Sequence, residues 1–378
     1  MMTILLPAIF VACVLAVAYP IAIYPVLVGI LARIRPRPWR TGETDLKVAH
    51  LITVFNEERR IGPKLDNAVA VTPPESGLET VVISDGSDDG TERIVRGYAD
   101  RGVRWIGCER QGKERAQMTA MRSIDAEILV FSDASSLLEK DSLKELIRPF
   151  ADPLVAAVSG TDRLETAEKG TGEDIYVGYE MGLRRAESRA GSLVGLSGCY
   201  FAIRREVCER WVPDVPNDMG SALVAIAMGR RAVAVDGARC TYGATASTTR
   251  EFQRKRRTAL RGLRGLIAYR SALTQGGWVE TWQVFSHKVM RFLAPFFGLA
   301  AVGALGVGAW IGLLWAQLML VGSAALVVAA LAGMLAPTRL RPLRAASFFV
   351  LSMAAVGSAW FSIVKRDRAA LWAPTERP

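Results

Sequence analysis

The chain of 378 residues carries 47 Lys and Arg against 37 Asp and Glu, a formal net charge of +10, and is 51% hydrophobic while still 22% charged. Such a mixture requires polar and apolar residues to be segregated along the chain, which excludes a disordered polymer and argues against an all-soluble globule. Five cysteines without a Cys-x-x-Cys pair argue against a thiolate zinc site or a disulfide framework and suit a reducing compartment. His50 and His287, the only two histidines, are too few for a multi-histidine metal centre, so metal chemistry has to rest on carboxylates.

From Thr3 to Ala32 no residue is charged, enough to cross about 30 Å of hydrocarbon even with Pro7, Pro20 and Pro25 inside the run. Arg33, Arg35, Arg37 and Arg40 follow it, so the positive-inside rule puts the N-terminus outside and the rest in the cytoplasm. A cleaved signal peptide ending near Ala16-Val17-Ala18 is the rival reading. It lacks a leading positive charge, and apolar sequence continues past the site.

The polar stretch that follows reads as strands alternating with helices. His50–Phe55, Thr80–Ser84 and Glu127–Phe131 are short apolar runs; Glu58–Ala70 and Thr91–Asp100 have helical patterns between them. This is the signature of a parallel sheet of the α/β class. Arg250–Arg270 is a basic run in which Leu260, Leu263 and Ile267 recur at helical spacing, an amphipathic helix for anionic lipid and not a nucleic-acid surface. Phe292–Thr338 is long enough for two spans with a turn near Trp310–Gln317. A third run, Ala345–Val364, is flanked by basic residues on both sides. Full crossing puts the tail outside and a re-entrant path keeps it inside; both readings stay open. The expected division is a membrane anchor (1–40), an α/β domain (41–249), interface helices (250–290), a C-terminal transmembrane region (291–364) and a basic tail (365–378).

Ligands of open α/β sheets bind at the carboxyl ends of the strands. Asn56-Glu57-Glu58, Asp85-Gly86-Ser87-Asp88-Asp89-Gly90-Thr91 and Ser132-Asp133-Ala134-Ser135 follow the three strands in turn. A single strand-end Asp is usually a cap or turn former; three strands delivering acids to one edge point to a ligand cleft. A calcium loop beginning at Asp85 fails because its twelfth position is Arg96, and Gly112-Lys113 is not part of a phosphate loop. A nucleoside diphosphate can enter an acidic cleft when magnesium or manganese lies between, and the same cation offsets charge on a departing diphosphate.

In order, Phe55-Asn56-Glu57-Glu58, the Asp85–Thr91 segment, Gly112-Lys113-x-x-Ala116, Ser132-Asp133-Ala134, Tyr179-Glu180, Gly195–Arg204, Asn217-Asp218, Gln253–Arg257 and Leu371–Arg377 resemble the motifs of membrane-bound family-two glycosyltransferases. The kinship is with the cellulose, hyaluronan and chitin-oligosaccharide synthase group. The resemblance implies a GT-A fold, Rossmann-like with a mostly parallel sheet, as a cytoplasmic domain joined to transmembrane helices in the inner membrane. It implies that Thr53, Phe55, Glu57, Asp85, Lys113 and Asp133 bind the nucleotide, with Asp133 also on Mg2+ or Mn2+, and that Asp218 is the general base. It assigns acceptor or diphosphate contacts to Gln253, Arg256, Arg257 and Trp372. Gln253 and Arg256 share a helix face, whereas loss of Arg261 or Arg264 is expected to change little.

The chain departs from the family in Asp133-Ala134-Ser135, which lacks a second metal carboxylate, and in Arg257, which stands where an aromatic residue usually forms an acceptor platform. The implied function is inverting transfer from a UDP sugar to a saccharide acceptor, in polysaccharide or oligosaccharide synthesis. Two alternatives stand beside it: a single addition to a lipid acceptor such as a polyprenyl phosphate, and an inactive partner subunit that binds nucleotide sugar or polysaccharide.

Overall fold

A computed structural model describes residues 2–165, 172–243, 248–335 and 341–365. Eight strands form one sheet in the order β3-β2-β1-β4-β7-β6-β8-β5. They are β1 (Val48–Val54), β2 (Leu78–Asp85), β3 (Val103–Cys108), β4 (Ile128–Asp133), β5 (Ser136–Leu138), β6 (Val155–Glu165), β7 (Tyr200–Arg204) and β8 (Arg231–Gly243). The first four in spatial order run parallel, β7 lies antiparallel between β4 and β6, and β8 is parallel to β6.

Every residue of β1 is buried, the mark of a strand covered on both faces. Alternate side chains serve the two sides. Leu51, Val81, Ile83, Leu129 and Phe131 pack with Phe201, Trp211 and the helix Asn217–Ala227, whereas Ile52, Val54 and Val82 pack with Ile61 and Leu65 of the helix Glu58–Ala70. Thr53 pairs with Ile83 on one side and Asp133 on the other, so the ends of β1, β2 and β4 finish level with one another. That register gathers the acidic strand ends at one edge.

Four helices are long and apolar enough to cross a membrane: Met2–Ile34, Trp278–Trp310, Leu314–Gly333 and Ala346–Val364. The first widens into a π turn at Tyr19–Ile23, beside Pro20 and Pro25, and the second does so at Phe285–Val289. The two turns touch, with Tyr19 Oη 2.8 Å from Ser286 Oγ and accepting from Trp282 Nε1 at 3.0 Å. The hairpin between the second and third turns at Ile311–Leu313, where Gly312 has φ +81°, inside the Trp310–Gln317 neighbourhood expected for it. The second helix begins at Trp278, earlier than Phe292, because His287 and Arg291 are matched by carboxylates from elsewhere in the chain.

The C-terminal helix Arg341–Val364 runs against the second. Met353 lies at Gly298, Gly357 at Pro295, and Trp360 donates to the carbonyl of Phe292 at 2.8 Å. Its last turns rest on the basic helix Thr248–Ala268, where Leu260 packs on Ala359. Val364 therefore ends beside the catalytic domain, on the side where the re-entrant reading puts the tail.

Candidate active site

The loops after β1 and β2 lock together through the acids that the sequence placed there. Asn56 Nδ2 donates to Asp88 at 2.7 Å, the Asp88 N–H donates back to Asn56 Oδ1 at 3.0 Å, and the Glu58 N–H donates to Asp89 at 3.1 Å. Glu57 is buried, its N–H on Thr91 Oγ1 at 2.9 Å and its carboxylate 3.6 Å from Arg60. Asp88 and Asp89 are thus structural.

Asp85 ends β2 with its carboxylate fully buried. It accepts N–H groups from Gln111 at 2.8 Å and Gly112 at 2.9 Å and pairs with Arg110. The Arg110 guanidinium lies 3.5 Å from the centroid of the Phe55 ring, a cation–π stack. Gly86 makes this approach possible: its φ is +73°, and a Cβ there would come within 2.8 Å of the Arg110 nitrogen. Sequence reasoning missed Arg110, which follows an edge strand with no apolar run to announce it.

Asp133 lies next to Thr53 across β1 and β4. Its carboxylate is partly open and accepts from Lys113 Nζ at 2.6 Å. Burial alone would lower the pKa of the Lys113 ammonium, but Asp133, with weaker help from Glu114 and Asp218, raises it on balance. Asp218 opens the helix Asn217–Ala227. One carboxylate oxygen accepts the Met219 N–H at 2.8 Å and the other faces Gly198, 3.2 Å from where a Cβ would stand. A relay fixes this helix to the sheet: Asn217 donates to Gln117, and Gln117 donates to Thr53 Oγ1 at 2.7 Å, all three buried. Thr53 therefore positions the helix that bears Asp218.

The basic helix departs from expectation. Arg256 turns to the C-terminal helix, donating to Ser358 and Ser362 at 2.9 Å each, and is a tether between helices in this structure. Arg261, expected to be dispensable, pairs with buried Glu114 beside Lys113. Arg257 lies near Arg254 and Arg261; burial first, then those like charges, lower its pKa. Gln253 is exposed. Trp372 and the tail motif lie outside the described residues.

Lys64 gave no signal in the sequence. It is fully buried beneath the turn that follows Asp133 and donates to the Ser136 carbonyl at 2.7 Å. Burial pushes its pKa from 10.5 down to about 8, against the opposing pull of Cys240, Asp133 and Cys199. The unfolded chain keeps this proton to a higher pH than the folded one. Its charge therefore weighs on the fold below pH 8, by on the order of 3 kcal/mol, and that weight lifts as pH rises toward 10.5. Thermal unfolding across this window should show wild type gaining stability relative to Lys64→Met; parallel curves would mean that Lys64 is solvated.

Among the described residues no three His, Cys, Asp or Glu side chains gather to hold a cation alone. Asp133 nevertheless fits magnesium or manganese, which are commonly held by one or two carboxylates together with substrate phosphates.

The parallel sheet with its acidic strand ends is a GT-A nucleotide-sugar fold. Residues 50–212 match the model of Glycosyl transferase family 2, and this part of the chain is a family-two glycosyltransferase domain of the hyaluronan and cellulose synthase type. A hyaluronan synthase of Streptococcus pyogenes is 29% identical over 185 residues, 45% of this chain and 43% of that protein. A dolichyl-phosphate beta-glucosyltransferase of Trichomonas vaginalis is 25% identical over 193 residues, 47% of this chain and 57% of that protein. The match thus spans less than half the length of the hyaluronan synthase. A mannosyltransferase of Pyrobaculum calidifontis, solved with GDP-Man and Mn2+, superposes with a TM-score of 0.73 at 26% identity, covering 96% of this chain and all of that one.

Proposed function

We propose that the protein transfers a sugar, with inversion, from a nucleotide sugar to an acceptor held at the membrane. One observation carries this reading: Lys113 bridges to Asp133 at the end of β4 and senses the charge of Asp218 from a distant part of the chain. A leaving-group site and a base thereby face one another. Asp218 takes the proton of the acceptor hydroxyl as its oxygen bonds to the anomeric carbon, and the bond from that carbon to the diphosphate breaks on the opposite face. Lys113 holds the departing diphosphate. A magnesium or manganese ion on Asp133 would neutralise the charge that develops on it. Phe55 and Asp85 receive the base, and Arg110, now stacked on Phe55, moves aside or covers the base from its other face.

On this reading residues 41–249 are the transferase domain, cytoplasmic at the inner membrane, and 250–290 its interface helices. The donor base is uridine by family resemblance; guanosine is set beside it by the mannosyltransferase bound to GDP-Man. Incubating membranes that contain the purified chain with UDP and GDP sugars, then sizing the labelled product, tests the proposal. Failure to consume any donor would favour a binding subunit.

The two arginines of the basic helix separate tether from cleft. Arg261→Ala leaves buried Glu114 unpaired beside Lys113 and should lower kcat about tenfold. Arg256→Ala removes two charge-assisted hydrogen bonds to the C-terminal helix. It should lower the melting temperature, by about 1.5–3 kcal/mol of packing, and affect donor hydrolysis far less than Arg261→Ala. The opposite order would return Arg256 to the diphosphate.

A further inference from the structure

Lys288 is used by nothing described so far. It sits in the π turn of the second membrane helix, partly exposed, with Nζ 3.2 Å from where a Cβ on Gly195 would stand. Ionisable groups in a spanning helix are costly and mark function by default. The charged groups that Lys288 senses are Glu180, Arg291, Glu187 and Arg184. Both carboxylates are committed elsewhere. Glu187 accepts from Tyr24 Oη at 2.6 Å and lies 2.6 Å from His287 Nδ1; Glu180 lies 3.4 Å from Arg291, 3.5 Å from His287 Nε2 and 4.0 Å from Arg184. Among the described residues the Lys288 ammonium has no hydrogen-bond or ion-pair partner. Asp162, 3.5 Å from Arg184 and bonded to Ser197, is held toward its neutral form by burial. Three cations therefore face two engaged carboxylates, a surplus that an anion would relieve.

The place of this surplus matters as much as its sign. Gly195 begins the loop whose far end, exposed Gly198, lies against Asp218. The two glycines are three peptide steps apart, at most about 11 Å, a gap that one sugar unit can fill. The helix carrying Lys288 enters the membrane here, where a group tethered to lipid arrives.

We propose that Lys288, backed by Arg184 and Arg291, binds the phosphate of a membrane-anchored acceptor, a phosphate-linked lipid saccharide whose hydroxyl extends past Gly195–Gly198 to Asp218. This rests on Asp218 being the base. A neutral saccharide chain would leave the ammonium without a counter-charge.

The test uses the full chain in phosphatidylcholine vesicles with two acceptors, glucose linked to farnesyl diphosphate and glucose linked to an octyl chain. Wild type should show the lower KM for the phosphate-bearing acceptor. Lys288→Gln should raise that KM about tenfold, the scale of one charge-assisted bond, without raising the donor KM. Lys288→Arg should restore it, and the surface variant Lys47→Gln should change neither. Decyl phosphate, but not decyl glucoside, should raise the melting temperature of wild type, a readout that needs no variant to fold.

Equal KM values for the two acceptors, or no effect of Lys288→Gln, would mean that water solvates the ammonium and the site falls. If phosphatidylglycerol in the vesicles speeds transfer to the neutral glycoside through Lys288, bulk lipid fills the site and the acceptor assignment falls. Absence of any donor consumption by wild type would remove the transferase reading itself, and this site with it.

Discussion

Asp218→Asn should lower turnover by about a hundredfold to ten-thousandfold, the range of a lost general base, while donor affinity stays close to wild type. The substitution isolates chemistry because of how Asp218 is held. The amide oxygen of Asn can still accept the Met219 N–H, as the carboxylate does at 2.8 Å, and the buried contacts of Asn217 and Met219 that fix the helix are untouched. What disappears is an oxygen able to accept a proton beside Gly198. Steady-state rates measured with nucleotide binding by calorimetry decide the matter. Loss of donor affinity along with rate would make Asp218 a structural residue and move the base elsewhere.

Removing divalent cations should be comparably severe, lowering turnover about a hundredfold or more in excess chelator, with recovery on adding magnesium or manganese. The reasoning is one of charge. Asp133 is partly open and has only Lys113 as its printed counter-charge at 2.6 Å, while a diphosphate brings several negative charges to the same place. Asp133→Asn should shift the metal dependence of turnover to higher concentration, whereas Asp88→Asn, at a residue that only staples two loops, should leave that dependence in place. Full turnover in chelator would assign leaving-group stabilisation to Lys113 and the arginines of the basic helix alone.

The donor half of the cleft was legible because parallel strands buried on both faces appear as uninterrupted apolar runs, and the residue after each run is where ligands bind. His50–Phe55, Thr80–Ser84 and Glu127–Phe131 fall on β1, β2 and β4 within two residues at most of their ends. The other strands hide for physical reasons. β3 is an edge whose Arg104 and Gly107 break the run, and β6 and β8 carry register shifts at Val155/Ala157 and Ser159/Thr161 that blur alternation. Partner choice was not legible either. Helical spacing puts Gln253 and Arg256 on one face but says nothing of which neighbour that face meets, and tertiary packing gave Arg256 to Ser358 and Ser362 and Arg261 to Glu114. The start of the second membrane helix was read late for a related reason: the carboxylates that match His287 and Arg291 lie about a hundred residues away.

The basic helix is gripped at two points. Arg256 fastens it to the C-terminal membrane helix, and Arg261, five residues on and about 7.5 Å along the axis, fastens it to the helix that begins with Lys113. A lever with both ends held passes displacement from one to the other. When the bilayer thins or thickens, membrane helices adjust their tilt, and here such a tilt pulls on the segment that presents the ammonium to the leaving diphosphate. The rate of sugar transfer thereby becomes a gauge of lipid composition, rising or falling with acyl-chain length although no lipid touches the reacting atoms.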